Sequence, residues 1–275
     1  LAQPDPIQAV AGTFAIIAAS AAVVFQIRTA MRVASDGGKV RTGELRMPDA
    51  LVAIVLAGFF LAIFAKVVGG GKKPDMMNAD AAIQSSVLFL IIAGGVAGFL
   101  KYRGVALRQF LGLQSISPLR AIAWAIGLVV AAVPVVGIAN AITLVATHGQ
   151  AEQQELVRLF RTVALKTDQA AMLKIFVAGA ILAPVCEEFL FRGFFYPLGK
   201  RYIGAGPSAV ICAIFFAAVH TNLAAFAGLA VLALCLTLAY ERTGSLLVPI
   251  GMHALYNSAS LGFIYLQAHG LIHTQ

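Results

Sequence analysis

Only two of the chain's 12 carboxylates lie well inside a long apolar stretch, and they are neighbours: Glu187 and Glu188. Of the 5 histidines, His220 and His253 alone belong to apolar stretches, while His148, His269 and His273 fall in a loop or the C-terminal tail. The other acids stand where charge is ordinary. Asp5, Asp36, Glu44, Asp75, Glu152, Glu155 and Asp168 sit in loops or an interfacial stretch, and Asp49, Asp80 and Glu241 sit at the ends of predicted helices. A carboxylate and an imidazole with a water between them make a sufficient hydrolytic pair, the carboxylate accepting a proton as the water attacks. A second histidine and an asparagine opposite them can stabilise the oxyanion that forms. A lone histidine in an apolar helix is ordinary packing, but four ionisable groups in the last third of a chain make a constellation.

Spacing divides the roles. His253 and Asn257 stand four residues apart, on one helix face, and so can address a common ligand such as a carbonyl oxygen, a water or a metal. Glu188 and Arg192 have the same spacing, which allows an intrahelical ion pair. Glu187 points about 100° away from Glu188, because about 3.6 residues complete a turn. One carboxylate is therefore pinned by Arg192 and the other is available for chemistry. Pro184 interrupts the helical ladder just before them and frees a carbonyl nearby. No GxSxG elbow, HExxH motif, P-loop or dinucleotide-binding glycine pattern occurs. Cys186, Cys212 and Cys235 are odd in number and all in apolar stretches, so they read as small buried or lipid-facing residues. Gly94-Gly95 and Gly69-Gly70-Gly71 read as close helix packing or a turn.

These side chains need a scaffold, and the composition names its kind. Charged residues make up 12% of the 275, hydrophobic residues 60%, and the mean hydropathy is +0.88. An ordinary globular chain carries roughly 25% charge. So few charges cannot cover a water-facing surface, which excludes a soluble globule, a disordered chain and a coiled coil. What remains is an all-α, polytopic transmembrane helix bundle, because lipid forces each backbone polar group to be satisfied within the protein. A span needs about 20 apolar residues, and eight candidates are predicted: 9–27, 50–68, 79–100, 119–146, 170–198, 206–220, 223–241 and 245–267. The junction at Thr221 and Asn222 is tight, so seven remain possible if the sixth and seventh form one broken hairpin. The first segment lacks a basic leader and is followed by further spans, which favours a span over a cleaved signal peptide.

Within 151–167, Leu156, Leu159, Phe160 and Val163 recur at helical spacing among Glu152, Glu155, Arg158 and Arg161. That pattern predicts an amphipathic helix lying in the interface plane, as a packed connector or a gate. The chain thus divides into helices one to four at 1–150, the interfacial segment at 151–169 and a catalytic core at 170–275. Thirteen of the 20 basic residues fall on one side: Arg28, Arg32, Lys39, Arg41 and Arg46, then Lys101, Arg103, Arg108 and Arg120, then Arg192, Lys200, Arg201 and Arg242. That side is read as cytoplasmic, with both termini outside. The formal charge of +8 is accordingly an orientation signal, and no basic run with interleaved aromatics points to nucleic acid.

At these residues the chain resembles a known family. Glu187-Glu188-Phe189-Leu190-Phe191-Arg192 is similar to the EExxxR motif of the CAAX protease and bacteriocin-processing (CPBP) family of intramembrane proteases, which includes the type II prenyl-protein proteases. Phe216-Ala217-Ala218-Val219-His220 resembles its FxxxH motif and His253-Ala254-Leu255-Tyr256-Asn257 its HxxxN motif, in the family's order and on successive hydrophobic helices. The resemblance implies an intramembrane endopeptidase acting on a membrane-embedded or membrane-anchored protein or peptide. It implies Glu187 as the base that activates water, with help from His220. It implies His253 and Asn257 as the oxyanion site, and Glu188, Arg192 and Phe216 as supporting or substrate-binding residues. Metal-free chemistry is favoured, with zinc the alternative on Glu187, Glu188, His220 and His253, since no compact ligand pair is present. Counting rise along predicted helices puts Glu187 and His253 roughly 12–15 Å from the cytoplasmic face but His220 nearer to about 20 Å.

Two other functions compete. A proton-coupled transporter or channel would use the same acids and histidines as a relay, but the chain lacks matched broken helices in two inverted halves. A catalytically silent scaffold should have lost one of these residues, and none is lost. Alanine-rich spans and short cytoplasmic loops suggest a bacterial inner membrane, where bacteriocin maturation or envelope-protein processing fits better than prenylated tails.

Overall fold

The computed structural model describes residues 6–70, 78–148 and 154–272, with side chains from residue 12 onward. Asp5, Asp75, Glu152, His273 and Gly71 lie outside the described residues. Ten helices and no strands occur among those described. They are α1 (Pro6–Asp36), α2 (Met47–Val68), α3 (Ala79–Tyr102), the single turn α4 (Leu107–Phe110), α5 (Pro118–Ala146), α6 (Glu155–Leu165), α7 (Gln169–Ile203), α8 (Ala205–Val219), α9 (Phe226–Thr243) and α10 (Leu247–Ala268). Six of them, α1, α2, α3, α5, α7 and α9, are long and apolar enough to cross a membrane. The chain is a multi-pass helical membrane protein. The eight predicted spans all correspond to helices, but α8 has only 15 residues and α10 is not among the six. α8 ends directly before His220 and α10 carries His253 and Asn257, so polar content and shortness go with the site.

Several predicted boundaries move. Arg28 and Arg32 belong to the last turns of α1, because nothing breaks that helix until Gly37 and Gly38 at φ +76° and +66°. Lys200 and Arg201 belong to α7, which runs on to Gly204 at φ +86°. Arg192 leaves the cytoplasmic charge count altogether, since it is 0% exposed. The predicted break between the sixth and seventh segments is real and falls at residues 220–225, where Thr221 has φ +50°. Close packing does not explain Gly94 and Gly95, beside which there is open space, whereas Gly70 at φ +86° makes a turn.

α7 is continuous but uneven. It widens into π-helical turns at Val177–Leu182 and Phe189–Phe195, and each ends just before a proline, Pro184 and Pro197. A proline lacks an N–H and its ring presses on the carbonyl four residues back. Adding a residue to the preceding turn relieves that pressure, and such π-turns gather at functional sites. The stretch between them, Ala183–Glu188, is α-helical and carries both glutamates. α8 and α9 pack beside it through Leu190, Phe191, Phe194, Phe216, Ala217 and Ala233, all at 0% exposure.

The end of the bundle opposite α6 is closed by buried charge. Glu241, 1% exposed, accepts from Lys200 Nζ (2.6 Å), Tyr196 Oη (2.6 Å) and the Val40 backbone N–H (3.0 Å). This ties the α1–α2 loop to α7 and α9. Asp49, 0% exposed, pairs with Arg103 at 2.5 Å and accepts from the Arg46 N–H, tying α2 to α3. The α9–α10 turn is covered by residues 105–115. Leu246 N donates to Leu111 O at 3.0 Å, and a Cβ on Gly112 (φ +62°) would sit 1.7 Å from Gly244 O, so only glycine allows this approach.

Breaking a buried ion pair from one side leaves the other charge stranded. Glu241→Ala is therefore expected to cost about 3–5 kcal/mol, read as a lower unfolding temperature in detergent. Glu44→Ala, at a half-buried loop carboxylate, should shift it little.

Candidate active site

The site is assembled by α7, α8 and α10, with α9 behind them. Glu188 is fully buried, and its Oε1 accepts two hydrogen bonds, from Arg192 Nη1 at 2.8 Å and from His253 Nδ1 at 2.9 Å. Arg192 continues inward, with Nη2 donating to Ala233 O of α9 at 3.0 Å and its guanidinium 4.6 Å from the centre of the Phe216 ring. Phe216 also faces both imidazoles, with ring centroids 4.7 Å from His220 and 5.8 Å from His253. It is the spacer around which the polar groups are arranged.

Glu187 has a different setting. It is 15% exposed, makes no direct hydrogen bond among the described residues, and its Oε2 lies 3.9 Å from both His220 Nε2 and His253 Nε2. Partner chemistry fixes the two rings. His220 Nδ1 is 2.8 Å from the Phe216 carbonyl, and His253 Nδ1 is bonded to the Glu188 carboxylate. A carbonyl and a carboxylate only accept, so each Nδ1 carries hydrogen and each Nε2 is turned to Glu187. A gap of 3.9 Å exceeds a direct hydrogen bond and suits one bridging water.

Asn257 is placed by a different demand. The Ala183 N–H bonds back to Ala178 O in the π-register, so the next carbonyl, Gly179 O, would look to residue 184, which is proline. Asn257 Nδ2 supplies the missing hydrogen bond at 2.8 Å. The carbonyl freed by Pro184 thus has an identity and a partner. His253 and Asn257 share a face of α10 but engage different groups: His253 the glutamates, Asn257 the α7 backbone.

The depth mismatch disappears for two reasons. α7 continues to Ile203 and α8 starts at Ala205, so Glu187 and His220 are nearly equidistant along the chain from the Gly204 turn. The α9–α10 turn lies inside the protein, with Ser245 at 0% and Leu246 at 2% exposure, which raises the start of α10 and brings His253 level. Neither feature has a strong signal in the sequence. The buried roles of Glu241, Lys200 and Asp49 carry no sequence signal either, because charges near helix ends are ordinarily solvated.

As placed, these groups do not fit a zinc ion. Nitrogen and oxygen ligands about 2.0–2.1 Å from a tetrahedral zinc stand ~3.3 Å apart, closer than the 3.9 Å found here. Glu188 Oε1 is already shared by Arg192 and His253, and no cluster of three His, Cys, Asp or Glu among the described residues is placed to hold a metal.

Residues 169–259 match the family of type II CAAX prenyl endopeptidases described as Rce1-like. Over this segment the chain is similar to the CAAX protease family. The Rce1-like segment begins with α7, ends within α10 and contains every residue of the site, while α1–α6 lie outside it. Comparison with curated proteins and with solved structures gave no match. The similarity supports a membrane endopeptidase whose substrate is a membrane-associated protein.

Removing the Asn257 amide strands Gly179 O inside the bundle. Asn257→Leu should lower stability by about 1–3 kcal/mol, measured by thermal unfolding, while Asn257→Asp should fail to restore it because a carboxylate cannot donate.

Proposed function

We propose that this Rce1-like protein is a glutamate-dependent intramembrane endopeptidase in which Glu187 is the general base. The observation that carries this is the convergence of two oriented Nε2 atoms on a carboxylate oxygen that has no hydrogen bond of its own. A water in the gap donates to Glu187 Oε2 and to neutral His220 Nε2. Its oxygen attacks the scissile carbonyl as Glu187 takes a proton, and Glu187 returns that proton to the leaving nitrogen as the C–N bond breaks. His253 gives its Nδ1–H to Glu188 and presents its Nε2 edge on the side where the oxyanion forms. Asn257 acts by holding α7 to α10 through Gly179.

The catalytic chemistry requires no metal in this reading. The substrate is a membrane-anchored protein segment that reaches the site from the side of Glu187 and His220, which are 15% and 22% exposed against 3% for His253. The ends of α1, α7 and α9 nearest Arg32, Arg201 and Arg242 face the cytoplasm and both termini lie outside.

Glu187→Ala and His220→Ala should abolish cleavage while leaving thermal unfolding nearly unchanged. The assay compares protein termini in membranes from cells carrying the wild type or Glu187→Ala. Full proteolysis by purified Glu187→Ala would falsify the assignment. Wild-type activity should survive chelation, with metal content well below one equivalent per chain. Activity lost to chelator and restored by added zinc would reverse the metal-free reading alone.

For orientation, Gly43→Cys sits in an exposed loop with open space around it, and the native cysteines are buried. An impermeant maleimide should label it only after the inner membrane is opened.

A further inference from the structure

Arg242 occupies the last turn of α9 and has no hydrogen bond or ion pair with any described residue. Its Nε is buried without a partner. What it has is aromatic. The guanidinium lies 5.3 Å from the centres of both Phe25 of α1 and Trp124 of α5, within the range of a cation–π contact. Rings cover the faces of a guanidinium and leave its in-plane N–H groups to find acceptors. The nearest acid in sequence, Glu241, is saturated by Lys200, Tyr196 and the Val40 N–H. A half-buried cation at the end of a membrane bundle therefore lacks its anion.

The neighbourhood repeats that sign. Arg28 follows Phe25 by one turn on α1, and Arg120 precedes Trp124 by one turn on α5. The two helices run in opposite directions, so both arginines lie on the same side of the aromatic pair, toward the end of the bundle where α9 terminates. Both are exposed, and neither has an ion pair among the described residues. Lys39 adds a further cation against Gly244, just beyond α9. Trp124 is 39% exposed, so the cluster reaches the lipid-facing surface.

The geometry points to a binding site at Arg242 for the phosphate headgroup of an anionic phospholipid, in the leaflet at that end of the bundle. The guanidinium fork takes two phosphate oxygens, as arginine does where planar recognition is needed. Arg28 and Arg120 contribute at headgroup level, and Phe25 and Trp124 occupy the interfacial level below, where aromatic rings settle. The site is formed by α1, α5 and α9, apart from the Glu187 centre, and does not depend on the protease reading.

Trp124 is the only tryptophan, so its fluorescence reports this site alone. The full chain is reconstituted in phosphatidylcholine vesicles containing a small fraction of brominated phosphatidylglycerol or of brominated phosphatidylcholine, and quenching is compared. The anionic lipid should quench with about fivefold preference, and Arg242→Gln should reduce this to below about twofold. Arg242→Lys should keep part of the preference, since the charge remains and the planar fork is lost. The double variant Arg28→Gln/Arg120→Gln changes only exposed positions and should also weaken it, so the proposal stays testable if Arg242→Gln does not fold. Equal quenching by the two lipids in the wild type overturns the proposal, as does a preference unchanged in both variants. Loss of the wild-type preference on adding inorganic phosphate at constant ionic strength overturns the lipid assignment in favour of a soluble anion.

Discussion

One carboxylate oxygen organises the catalytic half of the molecule. Glu188 Oε1 accepts from Arg192 one turn along its own helix and from His253 on another helix, all three at or below 3% exposure. Burying a charge is costly unless it is paired and hydrogen-bonded, so the three groups must move together or not at all. That coupling carries α10 to α7, turns the His253 Nε2 toward Glu187, and sends Arg192 on to the α9 backbone and the Phe216 ring. Glu188 Oε2 and Arg192 Nε have no partner among the described residues. The network specifies geometry more than it contributes stability.

Adjacent glutamates have opposite settings because of the helix between the two π-turns. A regular α-helix separates neighbours by about 100°, enough to send Glu188 into the α9–α10 side while Glu187 faces the gap between His220 and His253. The prolines force the helix to widen on either side, and the widening costs a hydrogen bond at Gly179 that α10 restores through Asn257. Backbone irregularity inside a bilayer persists only where protein supplies the missing partner. Here the supplier sits one turn after His253, so mending α7 and placing the imidazole are tasks of the same helix face.

The helical membrane class, the Glu188–Arg192 ion pair and the carbonyl freed by Pro184 are legible in the sequence. Each follows from scarcity of charge, helical spacing or proline chemistry, which are local rules. The π-turns were not legible beyond the prolines themselves. Nor was the buried α9–α10 turn, which depends on a backbone approach between Gly112 and Gly244 across more than a hundred residues. The count of basic residues by loops wrongly includes Arg192, because an arginine six residues short of a predicted helix end looks solvated until its acceptor on α9, Ala233 O, is known.

An acid within an apolar segment marks a site only when its partners are known. Asp49, Glu188 and Glu241 are all nearly inaccessible, and each is held by at least one cation at 2.9 Å or less. Those contacts account for the three carboxylates as structural charge, whatever else Glu188 positions. Glu187, by contrast, is partly open, lacks a direct hydrogen bond among the described residues, and stands at matched distances from two imidazoles whose other nitrogens are already committed. A structural carboxylate in lipid would be expected to close those gaps, because an unsatisfied charge there is the costliest arrangement available. The gaps persist because the rings are anchored from behind, one by the Phe216 carbonyl and one by Glu188. It is the anchoring of its neighbours, and not its own burial, that sets Glu187 apart from the three structural carboxylates.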